Sequence, residues 1–159
     1  MANLTIISVG NLKESYLREA VAEYKKRLSQ YARVDEIEIK EERINDEDNR
    51  TEIEAALSRE ADKILAKLPE DALKIALCVE GKQYSSEELA KIMGDGCDRG
   101  GKIAFVIGSS YGLSEKVKKE CDVRLSFSKL TFPHQLMKVI LFESVYRSFT
   151  ILAGKRYHK

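Results

Sequence analysis

The chain has 159 residues, 43% hydrophobic and 33% charged, with 27 Lys+Arg against 26 Asp+Glu. A chain of this length buries roughly two-thirds of its unfolded surface, enough for one core and hardly two. Nine Gly and two Pro among plentiful aliphatics exclude collagen-like, low-complexity and disordered classes, and no apolar run approaches the ~20 residues that span a bilayer.

The opening Met1–Gly10 has no basic n-region; its apolar run Leu4–Val9 predicts a buried strand, not a secretory signal. A helix is expected from Ser15 to Tyr31, with Leu17, Ala20, Val21, Tyr24 and Leu28 on one face. Val34–Ile39 alternates apolar and charged residues, as a half-exposed strand does. Glu41–Arg50 reads as a charged loop, and Thr51–Leu68 as a helix stopped by Pro69. Leu73–Val79 is a third strand, after which Ser85 and Glu88 form a capping box opening a helix to Met93. Ile103–Ile107 is a fourth strand, Ser114–Cys121 a short helix and Val123–Phe127 a fifth strand. Pro133 opens a last helix running to Ala153.

Strand alternating with helix predicts an α/β fold with a mostly parallel sheet, whose ligands sit outside the carboxyl ends of the strands. Three segments occupy such ends: Glu80–Ser86, Gly108–Ser114 and Ser126–His134. No internal repeat or linker divides the chain, so residues 1–159 are expected to form a single domain. The last helix carries apolar residues on nearly every face, from Leu136 through Val145 to Leu152. Such a helix is either central to the core or covered on its second side by another subunit.

Cys78, Cys97 and Cys121 are odd in number and form no C-x-x-C pair, which points to a reducing cytoplasm. His134 and His158 are the only histidines, too few ligands for an expected metal site. Charge is asymmetric: Glu36–Glu60 has ten acids and four bases, whereas Arg124–Lys159 has seven bases and one acid. A basic end beside an acidic segment can orient an anionic partner.

Phe105–Leu113 follows a strand and carries Gly108 and Gly112, but it is neither G-x-G-x-x-G nor a P-loop. Ser126–Gln135 is a loop of hydroxyls, aromatics and one lysine, whose main chain can hydrogen-bond a heteroaromatic ring. His134, in the first turn of the last helix, reads as a structural residue. No Ser or Cys sits on a sharp elbow with a His partner, so a nucleophilic triad is not expected. In the tail Gly154–Lys159, the basic Lys155, Arg156 and Lys159 can hold phosphate, while Tyr157 and His158 offer flat surfaces to a base.

These motifs together resemble a known family. Glu80-Gly81-Lys82, Ser85-Ser86-Glu87, Phe105–Gly108, Gly112-Leu113, Leu125–Gln135, Tyr146-Arg147 and the terminal Tyr157-His158-Lys159 are similar, in order and over the whole chain, to the RlmH family. Its members are SPOUT-class methyltransferases that use S-adenosylmethionine to methylate N3 of a pseudouridine in 23S ribosomal RNA. The resemblance implies an α/β fold with a C-terminal trefoil knot, a homodimer and the ribosome as partner, with no membrane. It places cofactor contacts on Leu77, Gly108, Phe127, Ser128, Lys129, Leu130, Thr131 and Phe132. It makes the tail, with Lys155, Arg156, Tyr157 and Lys159, a substrate-site element contributed across the dimer. Departures are Ser109 for the family's second Gly, Lys138 for an Arg, and Ser144 and Ser148 for Gln and Ala.

The implied chemistry is in-line displacement, in which N3 loses its proton before or during attack. His158 is the candidate proton acceptor and Glu143 the alternative, with Arg147 or Lys159 favouring the imide anion. Two other readings stand beside it. One is an inactive, ribosome-associated S-adenosylmethionine binder of the same fold, supported by Ser109, Ser144 and Lys138. The other is a flavodoxin-like nucleotide module, which fits the strand alternation but not the C-terminal motifs.

Overall fold

A computed structural model describes residues 1–159. Five strands, β1 (Ala2–Val9), β2 (Ala32–Ile39), β3 (Leu73–Gln83), β4 (Lys102–Ile107) and β5 (Val123–Ser126), form one sheet. All neighbours are parallel, in the order β2-β1-β4-β3-β5. The helices are α1 (Ser15–Leu28), α2 (Arg50–Lys67), α3 (Ser86–Asp98), α4 (Glu115–Glu120) and α5 (His134–Leu152).

Parallel strands need crossovers, and the crossovers cover both faces. On one face Leu17, Val21 and Leu28 of α1, Leu89 and Met93 of α3, and Leu141, Phe142, Val145 and Phe149 of α5 pack on Leu4, Ile6, Ile75, Ile103 and Phe105. On the other, Ala61 and Ile64 of α2 and Val117 of α4 pack on Ile7, Val9, Ala76 and Val106. Covered on both sides, β4 needs a continuous apolar run, and Ile103–Ile107 supplies it.

Apart from one-residue shifts, five boundaries differ from the sequence expectation. β1 starts two residues early, at Ala2, because Asn3 N–H donates to Gly101 O at 2.7 Å. α1 stops at Leu28, where Tyr31 N–H turns back to Leu28 O at 2.8 Å and β2 begins at Ala32. α3 continues past Met93 through Gly94 and Gly96 to Asp98. A Cβ on Gly96 would lie 2.8 Å from Leu73 and 3.2 Å from Ile103, so glycine lets the helix lie close on the sheet. That packing outweighs glycine's helix cost of about 1 kcal/mol. β3 runs to Gln83 because it rejoins β5 after a bulge: Leu77 and Lys82 both register with Leu125.

The capping box forms as expected, with Ser85 Oγ accepting from Glu88 N–H and Glu88 Oε2 accepting from Ser85 N–H at 2.7 Å. α5 is a core helix on one side only. Its other side leaves Leu136 38% and Leu152 45% exposed, with Ile140 and Ile151 half-buried. No helix is long and apolar enough to cross a membrane.

Candidate active site

The three strand-end segments converge on one cleft of about 360 Å³. The β3 bulge supplies Cys78, Val79 and Glu80, the loop after β4 supplies Gly108–Leu113, and the loop after β5 supplies Ser126–Ser128 and Leu130–Phe132. Glycines set two close approaches. A Cβ on Gly81 would fall 2.6 Å from Arg124 O, so only glycine lets the bulge pass the β5 backbone. A Cβ on Gly108 would fall 2.3 Å from Gly112 O, inside its own loop. Gly112, at φ +88°, closes that loop with its N–H on Ser109 O at 2.9 Å. Gly108 is therefore required by the turn itself, before any ligand arrives.

Between Phe127 and Phe132 the main chain is almost free of internal bonds. Leu130 N–H, which donates to Ser128 Oγ at 2.9 Å, is the one main-chain donor there with a partner. The segment edges a cleft walled by Leu77, Ile107, Leu125, Phe127 and Met137, so unbonded main-chain groups adjoin an apolar slot, an arrangement suited to a flat heterocycle. Seven of the eight expected cofactor contacts line it; Lys129 is exposed and points elsewhere. The sequence reading missed Lys118 and Met137, which come from helices rather than strand ends; His134, at the end of a segment it did single out but read as structural, also lines the cleft. Lys118 closes one wall through ion pairs to Glu80 and to Glu115, the latter at 3.7 Å. The Lys118 hydrogen bond holds the Glu80 carboxyl below its usual range. Burial pushes the Cys78 thiol up, which keeps it protonated and non-nucleophilic. No group of three His, Cys, Asp or Glu gathers as a metal site.

The expected catalytic residues form a second cluster. Arg147 forks onto Glu143, with Nη2 to Oε1 at 2.5 Å and Nε to Oε2 at 3.4 Å. Tyr157 Oη donates to the same Glu143 Oε1 at 3.0 Å, and the Arg147 guanidinium lies 4.7 Å over the Tyr157 ring. Tyr157 also meets Tyr146 edge-on, at 4.9 Å. Burial, then the bond to Glu143, raises the Tyr157 phenol to about 12. His158 sits between Arg147 Nη1, 3.2 Å from Nδ1, and Glu87 Oε1, 2.7 Å from Nε2. A guanidinium only donates, so Nδ1 accepts and Nε2–H donates to Glu87. The tail is thus folded onto its own chain, while Lys155, Arg156 and Lys159 stay exposed without ion pairs. None of Glu143, Arg147 or Lys155–Lys159 lines the cleft.

The departures from the family pattern have local contacts. Ser109 is buried, and its hydroxyl accepts from Tyr111 N–H at 3.3 Å, bracing the turn. Ser144 and Ser148 donate back to Ile140 O and Ser144 O, both at 2.9 Å. Lys138 is buried, with Nζ 3.1 Å from Glu36 Oε2 in an ion pair whose angle makes no hydrogen bond. It ties α5 to β2 and takes no part in the cleft.

A family model described as "Predicted SPOUT methyltransferase" matches residues 2–158. The chain is 48% identical over 158 residues to the ribosomal RNA large subunit methyltransferase H of Shouchella clausii, covering 99% of each. It is 49% identical over 156 residues to the protein of that name from Caldicellulosiruptor bescii, covering 98% of this chain and 99% of the relative. A putative ribosomal RNA large subunit methyltransferase H of Methanococcus vannielii is 50% identical over 158 residues, covering 99% of each.

Proposed function

The chain belongs to the SPOUT methyltransferase family, and from that premise we propose that it methylates N3 of a pseudouridine in 23S ribosomal RNA. The methyl donor is S-adenosylmethionine, the substrate the assembled ribosome, and the working form a cytoplasmic homodimer of one-domain chains. What carries the reading is the cleft. At about 360 Å³ it lies within the roughly 300–1,000 Å³ of small-molecule sites, and a nearly unbonded main chain edges it. The names of the relatives supply the ribosomal RNA. The trefoil knot belongs to the same proposal; its support is the convergence of the loops after β3, β4 and β5 on one cleft.

When bound, S-adenosylmethionine supplies an electrophilic methyl group on a sulfonium that leaves as a neutral thioether. Leu77, Ile107, Phe127 and Met137 exclude water around it, and the Phe127–Phe132 main chain fixes its orientation. Alignment of this kind is worth ~7 kcal/mol or more of barrier. The N3 proton needs an acceptor. Arg147, the donor on His158 Nδ1, is also the group suited to an imide anion. As Arg147 turns to the anion, Nδ1 is freed to take the proton; Glu143, already holding Arg147 and Tyr157, is the alternative acceptor.

Cleft and tail cluster share no residue within one chain, and the exposed side of α5 carries Leu136, Ile140, Ile151 and Leu152. Pairing two chains through that side and offering each tail to the partner's cleft would complete two sites. Ser109, Ser144 and Lys138, the departures behind the inactive-binder alternative, all have contacts inside the fold, and methyl transfer is what separates the two readings. The test is transfer of labelled methyl from S-adenosylmethionine to ribosomes that lack the modification. One methyl per large subunit, at N3 of a pseudouridine, is expected; absence of transfer to ribosomes and to free RNA alike overturns the reading.

A further inference from the structure

A second polar site lies at the ends of β1 and β4. β1 leaves toward β2 through α1 on one face, and β4 leaves the opposite way toward β5 through α4 on the other face. Strand connections that diverge in this manner open a crevice at the carboxyl edge of a parallel sheet. At its floor Ser8 Oγ has no hydrogen-bond partner, and Lys138 Nζ has ion pairs to Glu36 at 3.1 Å and Glu38 at 3.7 Å but no hydrogen bond, although both residues are only 4% exposed. Together with Gly10, Asn11, His134 and Gln135 they surround a cavity of about 10 Å³, room for one oxygen atom. Unbonded buried donors are costly, so an acceptor oxygen between them has a clear gain.

The same Gly10, Asn11, His134 and Gln135 also wall a wider groove of about 450 Å³, shared with Lys13, Glu38, Lys40 and Glu41. Ile39 is its one apolar wall, so it does not suit an apolar ligand. At Gly10, φ +85°, a Cβ would stand in ordinary contact with both walls, 3.7 Å from Glu41 Oε2 and 3.8 Å from His134 Nε2. The exposed charges cancel, two lysines against two glutamates, so a bare anion gains no net field. A ligand with both kinds of group gains from each: phosphate and carbonyl oxygens on the ammonium groups, ribose hydroxyls on the carboxylates. His134 also lines the cleft, which sets the two sites side by side.

We propose that this crevice and groove form a second nucleotide subsite, holding a ribonucleotide of the RNA next to the one methylated; RNA as the ligand rests on the methyltransferase reading. The bound strand places one oxygen between Ser8 and Lys138 and a 2′-hydroxyl on Glu41 or Glu38.

The chain has two histidines: His134 walls both the groove and the cleft, so the cleft is kept filled with S-adenosylmethionine throughout, and His158, in the tail cluster, is the distant control for the imidazole NMR signals. The protein saturated with S-adenosylmethionine is titrated with a short oligouridylate and with its deoxyribose counterpart. The expected result is a shift of the His134 signals, with the deoxy strand about tenfold weaker because a hydroxyl–carboxylate bond is lost. Charge reversal at the exposed Lys13→Glu and Lys40→Glu together removes the shift while calorimetric S-adenosylmethionine affinity is unchanged. Silent His134 signals at millimolar strand, equal response to both sugars, or a shift that survives the charge reversal overturns the subsite; the last two outcomes mean a nonspecific polar surface. Methylation of ribosomes is scored separately. An active enzyme with silent His134 refutes the subsite alone, whereas an inactive protein with a ribose-selective His134 shift refutes the methyltransferase and supports the subsite.

Discussion

The cleft and the C-terminal cluster are built by different means. The cleft is held by backbone: Gly108 and Gly81 have no room for a Cβ, and Leu77, Leu125 and Ser126 behind them are buried strand residues. To deform it, a strand end must leave the sheet. The cluster is held by side chains at a chain end: the Arg147–Glu143 fork, the Tyr157–Glu143 and Arg147–His158 hydrogen bonds, one cation–π contact, one edge-on aromatic pair and one His–Glu bond. Contacts of those kinds near the surface contribute about 0.2–1 kcal/mol each. The cleft proposed for the methyl donor is therefore rigid within each chain, whereas the tail is held by contacts that can be exchanged one at a time. The proposed methylation of a ribosome-sized substrate needs that division.

The largest expected effect tests the division directly. Deleting Tyr157–Lys159 removes no core residue, so S-adenosylmethionine affinity and sedimentation as a dimer persist while methyl transfer falls about 1000-fold. Parental turnover in the truncated protein would make the tail a frayed end. The converse change is Gly108→Val, which drives a branched side chain into the Gly112 carbonyl. Calorimetric cofactor affinity should drop about 100-fold, and stability by about 2–4 kcal/mol, with the His158 NMR signals unmoved. Unchanged affinity would mean that the loop yields and that the cleft is not rigid. A smaller effect follows from Arg147→Lys, which keeps the charge and loses the fork onto Glu143. Turnover should fall about 10-fold at unchanged cofactor affinity; an equal loss in both would couple the two regions.

Legibility in the sequence follows the same division. Periodicity located every element, because buried parallel strands and amphipathic helices write their period into the chain. Leu4–Val9 and Ile103–Ile107 are examples. It misplaced the end of α3, where Gly94 and Gly96 signal a break locally but fit a close helix–sheet contact that only the fold creates. The β3 bulge at Cys78–Gly81 was likewise hidden, since it depends on how β5 registers with β3. Strand-end loops on the cleft were legible from topology; Lys118 and Met137, reaching in from helices, were not. Lys138 stood out in the sequence only as a departure from an Arg, whereas its contact with Glu36, distant in sequence, exists only in the fold. The grouping of Glu143, Arg147, Tyr157 and His158 came through the resemblance, and the Glu87 contact had no sequence signal, since α3 meets the tail only in three dimensions.

The smallest effect is also the most selective between the regions: the pH range over which the tail stays docked. Burial and the bond to Glu143 raise the Tyr157 phenol to about 12, above the ~10 of a free tyrosine. A raised value in the docked state means that the docked tail holds its proton more tightly. Its contribution to docking is full below ~10 and is lost as pH rises toward 12. On the acid side the Glu87 carboxyl is lowered, first by its own main-chain N–H at the start of α3 and then by His158. Only the His158 part depends on docking. That part is present above the free carboxyl value of ~4.3 and fades as pH falls through the lowered one. Tyr157→Phe keeps the edge-on contact with Tyr146 and deletes the alkaline limit, so near-ultraviolet titration should lose its last-ionising tyrosine and turnover near neutrality should change only a few-fold. Cofactor affinity, measured across the same range, should show neither limit, because neither Tyr157 nor Glu87 lines the cleft. If affinity follows the Tyr157 titration, the tail and a cleft are coupled, and the division between the two regions is wrong.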